Sequence, residues 1–232
     1  MPTSYDLAKT QLLDAALSHV PFDGWSEATF QAAIRDADVD ATVARAMCPR
    51  GAVDLAIAFH KQGDAAMEAR LKAEDMSMMK FREKVAAAVC FRIEAVTDKE
   101  AVRRGSTLFA LPMYAADGAK LIWGTSDAIW NALGDTSDDV NWYTKRATLS
   151  GVYSSTVLYW LGDDSPDTAA TWAFLDRRIE DVMRIEKLKA RVRETPALNR
   201  LMAGPNWLMR QIKAPTRMPK MEFPGSWTAP RD

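Results

Sequence analysis

Apolar residues recur at three- and four-residue spacings along nearly the whole chain. No segment alternates apolar and polar positions for more than a few residues. That rhythm belongs to helices and gives a sheet core nothing to be built from. Leu12, Leu13, Ala16 and Val20 set a first helix over residues 7–19, closed by a turn at Pro21-Phe22-Asp23-Gly24. Ser26 is a suitable N-cap for a second helix that runs to about Asp36, with Phe30 and Ile34 inward. A short third helix over 41–48 stops at Pro49, and a fourth starts near Gly51, with Gly63-Asp64 as its end or bend. Residues 76–96 read as a longer helix. Residues 98–133 read as two, hinged at Pro112 or at Asp117-Gly118. After the turn Gly134–Asp138, residues 139–161 are apolar or small on nearly every side past Arg146, the pattern of a helix central to a bundle. Residues 168–194 form a last long helix with Trp172, Leu175, Ile179, Val182 and Met183 on one stripe. The expected fold is all-α, a bundle of about nine or ten helices.

The 232 residues are 48% hydrophobic and 26% charged, enough to close a core in one large domain. Two cysteines, Cys48 and Cys90, cannot make a disulfide scaffold. The longest charge-free apolar stretch is 16 residues, 147–162, short of the roughly 20 a membrane span needs. The first twenty residues carry Asp6, Lys9 and Asp14 and do not form a signal peptide. The expectation is a soluble protein of a reducing compartment.

Catalytic signatures are missing. The eleven glycines never fall as G-x-G, and C-x-x-C, H-E-x-x-H, E-x-x-H and G-x-S-x-G are all absent. The two histidines, His19 and His60, fall on different expected helices and read as packed or surface residues. No enzyme, cofactor or metal is expected.

Charge is unevenly spread. Residues 171–232 carry thirteen Lys and Arg against seven Asp and Glu, a net of +6, and the first 170 residues carry −7. A basic end suits an anionic partner or simply a solvated helix face. The three N-terminal helices have the layout of a helix-turn-helix. The third offers only Arg45 and follows Asp36, Asp38 and Asp40, which would repel a duplex backbone. The motif is degenerate, and no nucleic-acid partner is expected.

Two segments stand out. In residues 196–213, Leu198, Leu201, Met202, Pro205, Leu208, Met209 and Ile212 fall at offsets 0, 3, 4, 7, 10, 11 and 14, one helix face throughout. Arg200, Arg210 and Lys213 lie off that face, and Trp207 at its edge suits a headgroup boundary. Such a helix lies on a membrane or docks on the bundle or a second copy; its cationic bias favours the membrane. Burying seven such residues contributes ~1.5–3 kcal/mol each. The other segment is 138–146, where Trp142 and Tyr143 stand among charges at a helix start, as an interface anchor or a cover for the core end.

Several stretches resemble one family. They are Asn141-Trp142-Tyr143-Thr144-Lys145-Arg146-Ala147-Thr148-Leu149, Ser165-Pro166, Thr171-Trp172-Ala173-Phe174-Leu175-Asp176-Arg177-Arg178-Ile179, Phe109-Ala110-Leu111-Pro112, and Trp25 followed by Pro49-Arg50-Gly51-Ala52-Val53-Asp54. In this order they are similar to the accessory lipid-binding protein of ubiquinone biosynthesis, the ninth coenzyme Q biosynthesis protein. The resemblance covers roughly residues 10–213.

It implies a TetR-like fold that has lost DNA binding, and an apolar pocket for isoprenoid quinone precursors and phospholipids. It also implies a partnership with the di-iron demethoxyubiquinone hydroxylase. The hydroxylase contact would fall on Asp139, Asn141, Trp142, Tyr143 and Arg146. Membrane binding would fall on the helix carrying Leu198, Leu201, Met202, Trp207, Leu208, Met209 and Ile212. Mitochondrial members begin with a long transit segment and this chain does not, so a bacterial, cytoplasmic protein at the inner membrane face is expected.

No polar motif announces a cavity, and the same helices can equally fill a solid core. If there is one, Val89, Leu108, Leu111, Ile129, Leu149, Val152 and Tyr153 are its expected partial liners. The expected layout is N-terminal helices over 1–60, a lipid-binding bundle over 61–194, the amphipathic helix over 195–213 and an irregular tail over 214–232. A homodimer through residues 139–161 or 172–194 is also expected. The alternatives are a TetR-like transcriptional regulator with a hydrophobic effector and a helical enzyme acting on a lipid.

Overall fold

The computed structural model describes residues 4–96, 98–194 and 213–215. The amphipathic positions Leu198 to Ile212 and most of the tail lie outside them. The described residues hold nine α-helices and no strand. These are α1 (Ser4–Asp23), α2 (Glu27–Asp36), α3 (Ala41–Met47), α4 (Ala52–Ala73) and α5 (Phe81–Glu94). Then follow α6 (Lys99–Ala110), α7 (Ala115–Ala132), α8 (Val140–Leu161) and, after a 3₁₀ turn at Pro166–Thr168, α9 (Ala169–Glu194).

Side chains set most of these starts. The Ser26 hydroxyl accepts from Thr29 N, Asp40 from Thr42 N and Val43 N, Asp98 from Ala101 N, and Asp139 from Asn141 N. α5 begins at Phe81, five residues later than periodicity suggests, where the Glu83 carboxylate accepts from Lys80 N at 2.9 Å and satisfies a donor at the helix start. α1 continues through Pro21 to Asp23. In the last turn the missing N–H removes a single bond, and Arg104 donates to the Pro21 carbonyl at 2.9 Å. The break between α6 and α7 falls at Leu111–Tyr114, around Pro112, and Gly118 is inside α7.

Two apolar clusters fill the molecule. The first gathers Leu12, Ala16, Val20, Trp25, Phe30, Ala33, Ala44 and Leu55, from α1–α4. The second gathers Met67, Val85, Val89, Ile129, Leu149, Tyr153, Leu175 and Ile179, from α4, α5 and α7–α9. α4 serves both. Its first half carries Leu55 and Ala56 into the first cluster, and its second half carries Met67 and Leu71 into the second. The layer boundary expected at residue 60 therefore falls inside one continuous helix.

Gly63 lies inside that helix, against Arg92. A Cβ there would lie 2.5 Å from Arg92 Nη1 and 2.7 Å from Arg92 Cζ. The glycine marks a close approach of α5 to α4 and not a helix end. α8 differs from expectation as well. It buries Arg146, Leu149, Val152, Tyr153, Thr156 and Trp160, while Ala147, Gly151, Leu158 and Tyr159 face out. It is one wall of the bundle and not its axis, because α7 and α9 pack on a single side of it. Among the described residues no helix is long and apolar enough to cross a membrane.

Candidate functional site

A cavity of about 430 Å³ opens between α4, α5, α6, α7 and α8, where the two clusters meet. Its α6–α7 wall is made of small side chains: Ala101, Gly105, Ser106, Ala110, Ala115, Gly118 and Ala119. Larger groups prop the walls apart, among them Phe59, Phe109, Ile122, Tyr153 and Trp160. Small residues facing large ones leave a void that neither wall can fill by itself. Gly118 sets how close α6 and α7 come, since a Cβ there would lie 2.8 Å from Phe109 Cβ. The volume is in the usual range for small-molecule sites.

The mouth is apolar. Ala110, Ala115, Ala119 and Leu158 line the cavity and are exposed, Leu158 by 64%. The corner between Ala110 and Ala115 carries Leu111 and Met113, the latter 74% exposed. The inner wall is different. There His60, Arg92 and Tyr153 line the cavity and join Asp64 and Thr125 in one buried network. Arg92 Nε donates to Asp64 Oδ1 at 2.6 Å and Nη2 to the His60 carbonyl at 2.9 Å. Thr125 Oγ1 donates to Asp64 Oδ1 at 2.8 Å, and His60 Nε2 lies 2.9 Å from the same hydroxyl. Burial, and then the neighbouring Arg92 charge, push the His60 pKa down to about 4, so the imidazole is neutral. Burial pushes the Tyr153 phenol up.

A second cavity, about 220 Å³, lies between α5, α7, α8 and α9. Phe81, Val85, Trp130, Leu149, Val152, Ile179 and Met183 form its apolar walls. Asn141, Thr144 and Lys145 stand at its polar rim, so it reaches the start of α8.

Of the seven expected liners, only Tyr153 is on the large cavity, and Leu149 and Val152 are on the small one. Val89 and Ile129 line neither; both are sealed in the second cluster. Leu108 packs against the first cluster and Leu111 is exposed at the end of α6. Periodicity finds inward positions, but it does not separate positions facing a void from those facing another side chain. One signal was readable: Val102, Gly105, Ser106 and Phe109 follow the 0, 3, 4, 7 spacing with two small residues, an inward face that cannot fill its share of core.

At the start of α8 the five expected partner-binding residues do come together. Asp139 caps the helix and accepts from Asn141 Nδ2 at 2.9 Å. Trp142 and Tyr143 meet edge to face with centroids 4.8 Å apart, and Trp123 of α7 joins them at 5.9 and 6.5 Å. Arg146 is placed otherwise than a surface reader. Its side chain is 0% exposed, and it donates to Asp127, Asp135, the Trp142 carbonyl and Asn131. Its guanidinium lies 4.0 Å from the Trp142 ring centroid. Arg146 thus holds Trp142 from beneath instead of offering charge to a partner. Asp135 is buried, but hydrogen bonds from Lys145, Ser137 and Arg146 outweigh that and hold its carboxyl well below the usual range. Lys213, last residue of the expected membrane helix, lies beside this patch: Tyr143 Oη donates to its carbonyl at 3.4 Å, and Ala214 N to the Asp138 carbonyl at 2.8 Å.

Two cations of the N-terminal helices have acidic partners. Arg45 pairs with Glu27 and lies 4.6 Å over the Phe30 ring, and Arg50 pairs with Asp54 and Asp117 at 2.8 Å each.

Three N-terminal helices, the second and third of them short, on a larger helical bundle that holds an apolar cavity make a TetR-like fold. The TetR transcriptional regulator from Nitrosomonas europaea ATCC 19718 matches with a TM-score of 0.62 over 74% of this chain and 95% of that one. At 15% identity that match speaks for the fold alone. Sequence gives the family. The COQ9 family model matches residues 115–186. The mitochondrial ubiquinone biosynthesis protein COQ9-B of Xenopus laevis is 30% identical over 200 residues, 83% of this chain and 68% of that protein. COQ9-A of the same species is 31% identical over 78% of this chain and 59% of its own length. The Drosophila melanogaster COQ9 protein is 32% identical over 79% and 57%. The chain belongs to the COQ9 family of ubiquinone biosynthesis proteins. It spans about three fifths of the length of COQ9-A and of the Drosophila protein.

Proposed function

We propose that the protein is a non-enzymatic lipid carrier of ubiquinone biosynthesis, which takes up isoprenoid quinone precursors and presents them to the demethoxyubiquinone hydroxylase. The observation that carries this reading is the 430 Å³ cavity with an apolar mouth at Leu158. A polyprenyl tail needs dry apolar walls and little else, and its burial is worth about 25 cal/mol per Å². Asp139, Asn141, Trp142 and Tyr143 supply the hydroxylase contact, with Arg146 fixing the Trp142 ring from below. The segment carrying Leu198, Leu201, Met202, Trp207, Leu208, Met209 and Ile212 supplies peripheral attachment to the membrane. The regulator alternative loses ground on Arg45 and Arg50, which are taken up by internal ion pairs.

The test is mass spectrometry of lipids extracted from protein purified without detergent. Isoprenoid or phospholipid at near-stoichiometric amounts is expected. An empty, stable protein would remove the carrier reading. Pull-down with the hydroxylase tests the patch: Trp142→Ala with Tyr143→Ala should abolish binding, and unchanged binding would remove that assignment. Ending the chain at Glu194 should abolish sedimentation with anionic liposomes.

A further inference from the structure

Most of the large cavity is apolar, with Ser106 and Ser154 on its walls and His60, Arg92 and Tyr153 at its inner wall, where one donor of Arg92 is left over. The Arg92 side chain is only 4% exposed, and its Nε and Nη2 are bonded to Asp64 and to the His60 carbonyl. Its Nη1 donates to no atom of the described residues. Yet among those residues no sealed side-chain nitrogen or oxygen lacks a partner. Nη1 is therefore not sealed, and Arg92 is among the residues that line the cavity. Gly63 fixes this placement, because any side chain there would push the guanidinium away.

We infer that Arg92 is the polar anchor of the cavity: an uncharged amphiphile, such as a quinone ring with an apolar tail, binds with its carbonyl oxygen on Arg92 Nη1 and its tail running out past Leu158. This rests on the lipid-carrier reading and adds the head chemistry and the orientation. The orientation follows from the walls. The donor is at the inner end, and the mouth is ringed by Ala110, Ala115, Ala119 and Leu158. The preference for an uncharged head follows from the charges. Arg92 is already balanced by Asp64 at 2.6 Å. His60 is neutral, with its pKa near 4. A carboxylate or phosphate brought into this pocket would be a buried charge with no counter-charge to spare, and burying it is expensive. A carbonyl oxygen needs only the donor.

The probes are a 1,4-benzoquinone carrying a decyl chain, labelled with ¹³C at its carbonyls, and dodecanoate. Both are added to the full chain stripped of lipid. The quinone should bind more tightly than dodecanoate, and the infrared band of one carbonyl should move to lower frequency, as hydrogen bonding to a cation requires. Replacing Arg92 by Gln should weaken quinone binding by about tenfold or more, the usual worth of a hydrogen bond to a charged group. Arg92→Gln alone leaves Asp64 buried and unpaired, so it is paired with Asp64→Asn, which keeps the cluster neutral. Binding with both carbonyl bands unmoved overturns the anchor but leaves the carrier. So does tighter binding of dodecanoate. Binding of neither probe overturns both readings. The infrared measurement uses the unmodified chain and does not depend on the folding of any variant.

Discussion

The cluster around Phe30 and the cluster around Tyr153 use the same kinds of side chain but close differently. In the first, α1, α2 and α3 meet with Leu12, Ala16, Val20, Phe30, Ala33 and Ala44 at 0% exposure. Polar groups stay at its edges, as caps and as the pairs Arg45–Glu27 and Arg50–Asp54. In the second, long helices are held by ionic groups inside the bundle. Arg92–Asp64 ties α5 to α4, and Arg146–Asp135 with Arg146–Asp127 ties α8 to the end of α7. A hydrogen-bonded network fixes helix spacing by its bond lengths and does not yield as an apolar contact does. Helices pinned in this way, and faced with Ala and Gly, cannot collapse on the space between them. The comparison ties the hollow to the buried polar network.

The sharpest way to break the comparison is to cut one ring from the sealed core and one from the cavity wall. Phe30→Ala empties a sealed site and should cost about 4 kcal/mol in denaturant unfolding. Phe59→Ala enlarges a wall that already faces a void and should cost less than half as much. Equal losses would mean the cavity is filled in solution. The polar network comes next. Arg146→Met leaves Asp135 with Lys145 alone and removes the buried guanidinium that also holds Asp127; it should cost about 3 kcal/mol, and the Trp142 fluorescence should move as its support goes.

A third test uses pH. His60 binds its proton with a pKa of about 4 in the folded chain against an ordinary 6.5, so the unfolded chain holds more protons between those values. Stability is then flat above about pH 6.5 and falls as pH drops toward 4, by at most about 1.4 kcal/mol per pH unit. His60→Gln should flatten that window. Asp135 and Asp163, held well below the usual carboxylate range, lose their contribution at lower pH still. The smallest effect belongs to the mouth. Leu158→Ser should change stability by no more than about 0.5 kcal/mol, while slowing transfer of a fluorescent lipid from vesicles into the protein.

Helices were legible because their signals are local. A 3.6-residue apolar stripe and a capping side chain sit within a few residues of each other, as at Ser26, Asp40, Asp98 and Asp139. Errors came where a distant group intervened. Gly63 looks like a stop until Arg92 is seen lying on it from α5. Arg146 looks like a surface cation beside two aromatics until Asp127 and Asp135 close over it. Trp123 completes the aromatic cluster from another helix, and nothing near it in sequence points there.

Sequence alone determined an all-helical chain, a first helix trio whose few cations stand among acidic residues, and an aromatic start to α8. Each of these depends on residue types a few positions apart. Tertiary structure decided where the bundle is hollow, because a cavity is a property of facing helices and no single stripe records its partner. It also decided that the hollow has a polar end. Arg92, Asp64, His60 and Thr125 come from three helices, and only their packing turns four ordinary surface-type residues into one buried network with a single donor turned inward.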